Sequence, residues 1–75
     1  MNKKPIITNK IRHLRFNADE MTQTTLADKV GVTRQTIIAI ENAKYYPTLE
    51  LSFLIARVFG KTIDEVFNIE FSDII

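Results

Sequence analysis

Apolar residues recur at spacings of three and four in four separate windows of the chain, and each window is bounded by residues that start or stop a helix. Ile11, Leu14 and Ala18 form the first stripe, with Asn9 as its N-cap. Leu26 and Val30 form the second, with the small Ala27 beside them; Thr22 opens it and Gly31 closes it, glycine being the residue type best able to turn left-handed there. Ile37 and Ile40 form the third, capped by Thr33 and running to about Asn42. Leu51, Ile55, Val58 and Phe59 form the fourth, over residues 49–59, with Thr48 as N-cap and Gly60 as its end. Pro47 disfavours helix at Tyr46, and Glu50 suits the positive end of the following helix. Thr62 and Glu65 make a capping box that opens a short fifth helix through Phe67. The period then changes to two over residues 68–72, which predicts a strand, and Pro5, Ile6, Ile7 and Thr8 make a second β-favouring run. Residues 1–4 read as loose. One domain over residues 1–75 follows, all-α with five helices and terminal strands at about 5–8 and 68–72.

A chain of 75 residues has room for one modest core. Domains this short bury only about 60–65% of the surface the unfolded chain exposes, so association helps them. No cysteine is present, which excludes disulfides and argues against a zinc finger. No apolar run is long enough for a membrane span or a secretory signal, so a cytoplasmic location is expected. The formal charge of +1 is low for a nucleic-acid binder. Its distribution matters more. Lys29, Arg34 and Lys44 face only Glu41 beyond Asp28, whereas Glu50, Asp64, Glu65, Glu70 and Asp73 gather after residue 47.

The chemistry concentrates in residues 23–42, two short helices joined at Gly31. With Ile37 and Ile40 directed inward, Gln35, Ile38, Ala39 and Asn42 fall on the opposite side of the helix at 33–42, flanked by Arg34 and Thr36. A rigidly held helix that presents such side chains is a device for reading base edges in double-stranded DNA. Arginine pairs with guanine and glutamine with adenine through two parallel hydrogen bonds, each worth ~1–3 kcal/mol of discrimination. Ile38 and Ala39 offer only apolar contact, most usefully to a thymine methyl. The predicted base-contacting set is therefore Arg34, Gln35, Thr36, Ile38 and Ala39. Thr22, Gln23 and Thr24 open the preceding helix with free backbone N–H groups suited to a phosphate. Lys44 and Tyr45 would hold the backbone on the other side, and Thr33 and Asn42, at the two ends of the reading helix, complete the predicted phosphate set.

Thr-Gln opening the second helix, Leu-Ala and Gly-Val across the turn, Arg-Gln-Thr-Ile opening the third, Ile-Glu-Asn closing it and Tyr-x-Pro-Thr-Leu beyond resemble the Cro/phage-repressor (Xre) helix-turn-helix regulators. The resemblance covers residues 9 to about 67. The short length and the Ile-Ile-Thr-Asn start resemble a compact subgroup of homodimeric transcriptional repressors, in which the terminal segments pair as a two-stranded antiparallel sheet. It implies base contacts at Arg34, Gln35 and Ala39, a phosphate contact at Gln23, and a partly buried ion pair between Arg15 and Glu41 that braces the scaffold. Two departures stand out. Ala43 occupies a position where the family usually has glycine, at a cost on the order of 1 kcal/mol if the backbone there is left-handed. The connection from Arg15 to Gln23 lacks the usual glycine and is one residue longer.

Phe67, Ile69, Phe71, Ile74 and Ile75 crowd the last nine positions, and Leu54 lies where the fourth helix turns outward. Clusters of this kind mark association surfaces, so Leu54, Phe67, Ile69 and Phe71 are the predicted interface of a homodimer. Its two-fold axis would set the reading helices about 34 Å apart on a palindromic operator. The alternative is a protein-interaction module of the same fold, such as an antitoxin bound to its toxin. His13 stands apart from any carboxylate cluster, and no nucleophile–base pair or phosphate loop is visible. The expected protein is not an enzyme and uses neither cofactor nor metal.

Overall fold

The structure, a computed structural model, describes residues 5–71. The predicted looseness of residues 1–4, the last position of the predicted strand 68–72, and Ile74 and Ile75 lie outside the described residues. The order of elements is β1 (Ile6–Asn9), α1 (Ile11–Asn17), α2 (Gln23–Val30), α3 (Arg34–Glu41), α4 (Leu49–Val58), α5 (Ile63–Val66) and β2 (Phe67–Glu70). The five helices are those that the pattern predicts, and the two-stranded sheet is the one that the family resemblance implies. β1 and β2 pair antiparallel with Ile7 opposite Ile69 and Asn9 opposite Phe67.

Every helix contributes to one core. Ile11 from α1, Leu26 from α2, Ile37 and Ile40 from α3, Ile55 from α4 and Val66 from α5 are fully buried, with Ala27 and Ala56 packed among them. A small domain depends heavily on each such side chain; Leu or Ile to Ala at these positions costs roughly 2–5 kcal/mol. Thr22, Thr33 and Thr48 cap their helices by accepting hydrogen bonds from Thr25, Thr36 and Leu51 backbone N–H groups. Buried Ser52 is satisfied by donating to the Thr48 carbonyl at 2.8 Å.

At α5 the Thr62 N–H donates to Glu65 Oε1 at 2.9 Å, and the Thr62 hydroxyl donates to Asp64 Oδ1 at 2.6 Å. The hydroxyl holds the Asp64 carboxyl below its ordinary range, and the backbone N–H does the same for Glu65.

Several local expectations are corrected. α1 starts one residue late, with Lys10 at the cap position, because Asn9 is still paired with Phe67 in the sheet. The Asn9 side chain nevertheless accepts from the Ile11 N–H at 3.1 Å. Ala18 falls beyond the end of α1 and is half-buried, so it does not extend the inward stripe. α5 stops at Val66 rather than Phe67, because Phe67 turns extended to join β2.

Candidate nucleic-acid interface

The α2–α3 unit is built from local chemistry. Gly31 stops α2 at φ 77°, and the Val32 N–H returns to the Ala27 carbonyl at 3.0 Å. Val32 packs against the core, and Thr33 starts α3 immediately afterwards. Ile37 and Ile40 anchor one side of α3 in the core, which fixes what the other side presents.

Arg34 and Gln35 are exposed at the start of α3, and Asn42 is exposed at its end. Ile38 and Ala39 are half-buried and border the outward side. Thr36 is also half-buried, and its hydroxyl lies 3.1 Å from that of Thr33 while its N–H donates to the same oxygen. The two threonines thus serve the helix start locally. Lys44 and Tyr45 are exposed, and their backbone N–H groups donate to the Ala39 carbonyl at 2.9 and 3.3 Å. Tyr46 faces another way, its Oη accepting from the Ile7 N–H at 3.3 Å and tying the loop to β1.

Behind this surface lies a polar network. Arg15 donates from Nε to Glu41 Oε2 at 2.6 Å and from Nη2 to Oε1 at 3.1 Å, a forked pair in which both side chains are largely buried. Its third arm donates from Nη1 to the Met21 carbonyl at 2.8 Å, holding the α1–α2 connection. That connection carries Asp19 and Glu20 in left-handed conformation, both at φ 55°, without a glycine. Gln23 Nε2 donates to Glu41 Oε1 at 3.1 Å, so α1, α2 and α3 meet at one carboxylate. Asn9 Nδ2 adds a hydrogen bond of 2.9 Å to the Ile40 carbonyl. Ala43 follows with φ 57°, the left-handed backbone at which the sequence lacks glycine.

The residues proposed for phosphate are not one cluster. Thr22, Gln23, Thr24 and Asn42 border a single polar groove of about 680 Å³ together with Arg34, whereas Lys44, Tyr45 and Thr33 lie outside its lining. The groove also contains Arg12, which sequence reasoning missed. The available signal was its position three residues before Arg15 on α1, hence on the same face.

At the predicted association surface, Leu54, Ile69 and Phe71 are exposed. Phe67 is not; it is half-buried against the core, because β2 leaves α5 at that residue. Leu49, at 70% exposure, Phe53 and Phe16 are large exposed apolar residues absent from the predicted set. No described helix is long and apolar enough to cross a membrane.

Residues 15–66 match the family described as Helix-turn-helix. The chain is 50% identical over 62 residues to an uncharacterized HTH-type transcriptional regulator of Methanocaldococcus jannaschii, covering 83% of this chain and 92% of that protein. It is 53% identical over 47 residues to another of Archaeoglobus fulgidus, covering 63% of this chain and 67% of that protein. A third, from Bacillus subtilis, is 40% identical over 62 residues, again 83% of this chain and 92% of that protein.

Proposed function

This chain belongs to the helix-turn-helix family, and from that premise we propose that it is a sequence-specific, double-stranded DNA-binding transcriptional regulator. It acts as a repressor that binds a palindromic operator as a homodimer. α3 enters the major groove, where Arg34 and Gln35 meet base edges and Ile38 and Ala39 meet thymine methyls. Thr36 approaches the bases only at the edge of this set. Thr22, Gln23, Thr24 and Asn42 hold phosphates on the groove side, with Thr33, Lys44 and Tyr45 holding the backbone beyond it. The observation that carries the reading is the exposure of Arg34 and Gln35, neither side chain hydrogen-bonded to another described residue, at the start of a helix whose other side is core.

Selection of duplexes from a random pool tests it directly. The expected result is a palindromic consensus whose affinity falls steeply with salt as counterions return to the phosphates. Weak, equal retention of all duplexes would overturn it. Association through Leu54, Ile69 and Phe71 predicts a dimer in sedimentation at micromolar concentration and a monomer for Leu54→Lys. A wild-type monomer that still bound a palindrome tightly would remove the dimer from the account. The exposed pair Leu49 and Phe53 favours a second reading, a protein-interaction module of the antitoxin kind. That reading gains if duplex selection fails.

A further inference from the structure

α1 carries two arginines on one face, and they stand in opposite situations. Arg15 is occupied on every arm, by Glu41 and by the Met21 carbonyl. Arg12, one turn earlier, is exposed and has no hydrogen-bond or ion-pair partner among the described residues. It nevertheless borders the same groove as Arg34 and the residues that open α2. Within that groove Arg15 and Glu41 neutralise each other, which leaves Arg12 and Arg34 against the single carboxylate of Glu20. The free charge of the groove is therefore positive although the whole chain is almost neutral.

We infer that Arg12 is a further DNA-contacting residue, holding a backbone phosphate from the α1 side of the groove that Arg34 borders from the α3 side. The inference rests on the proposed DNA-binding function and extends the contact surface to an element outside the α2–α3 unit. An exposed guanidinium that lines the groove and has no partner among the described residues loses no internal bond there when a phosphate arrives. It gains charge-assisted hydrogen bonds there. Because phosphates are the same at every step, this contact fixes how α3 sits without choosing a sequence. Glu20 acts in the opposite sense. Its carboxylate, on a left-handed turn at the groove edge, repels the same phosphate and moderates affinity.

The test compares wild type, Arg12→Ala, Arg12→Lys and Glu20→Gln on two duplexes. One is the duplex selected by wild type from the random pool, and the other is a shuffled duplex of the same composition. Arg12→Ala should weaken binding to both by on the order of tenfold and lower the slope of log affinity against log salt by about one. Arg12→Lys should retain the slope, since the charge remains. Glu20→Gln should strengthen binding to both several-fold. All variants should melt as wild type, because neither side chain is buried. Wild-type affinity and slope in Arg12→Ala would overturn the inference while leaving the proposed function intact. So would a loss confined to the selected duplex, which marks a base contact. Failure of wild type to select any duplex overturns the function itself, and the inference with it.

Discussion

The two ends of α3 are built on opposite terms. At its start, Arg34 and Gln35 are exposed and their side chains make no hydrogen bond or ion pair with another described residue, and only the local Thr33–Thr36 cap is engaged. At its end, Glu41 is gripped by Arg15 and Gln23, and the Ile40 carbonyl is held by Asn9. A helix that reads another molecule needs free side chains and a fixed backbone, and here the two requirements are met at different ends. Three elements outside α3 converge on the fixed end: α1, α2 and β1.

Substitutions that separate stability from recognition give the sharpest challenge to this division. Glu41→Ala should have the largest effect, lowering stability by about 3 kcal/mol because it leaves the Arg15 guanidinium in a largely closed site without its counter-charge. Urea titration reads that loss, while the base preference of the surviving folded protein should be unchanged. A variant of wild-type stability with altered preference would reverse the roles assigned to the two ends. Next come Arg34→Ala and Gln35→Ala. Each should cost ~1–3 kcal/mol of discrimination at one base pair with no change in thermal midpoint, as measured by competition among single-base variants of the selected duplex.

Ala43→Gly lies just past the fixed end and should act in the stabilising direction. Left-handed backbone costs an L-residue roughly 1–2 kcal/mol, and the greater unfolded freedom of glycine returns part of that. A net gain of about 0.5–1 kcal/mol in urea, with DNA selection unchanged, is the expected outcome.

The smallest effect belongs to a region outside both ends, the start of α5. Asp64 and Glu65 have lowered pKa values because of the Thr62 hydroxyl and the Thr62 N–H respectively. Their contribution to stability is present above the ordinary carboxylate range and is lost as pH falls through the lowered values. The melting difference between wild type and Glu65→Gln should therefore shrink on acidification, and base preference at neutral pH should be identical. A change in preference would show that α5 is coupled to α3 more tightly than the division allows.

Local chemistry made much of the α2–α3 unit legible in the amino-acid sequence. Thr22, Gly31 and Thr33 act on their own neighbours within a few residues, so their effect depends little on the rest of the chain. The same holds for Thr48 and for the Thr62–Glu65 box. The Arg15–Glu41 pair required the family resemblance, because 26 residues separate its members. Phe67 shows where local reading fails. The sequence pattern carries α5 through it, but pairing with Asn9, far away in the chain, draws it into the sheet and packs it against the core.

Sequence alone determined the element order, the starts of α2, α3, α4 and α5 and which side of α3 faces the core, since each follows from periodicity and from side chains bonding their own backbone. Tertiary structure alone decided the shared occupation of Glu41, the split use of Asn9 between two elements and the meeting of Arg12 with Arg34 across one groove. It also decided that Asp19, Glu20 and Ala43 would turn left-handed without glycine. Those outcomes depend on where distant segments of chain come to rest, and the packing of Ile11, Leu26, Ile40 and Ile55 around one centre sets that position.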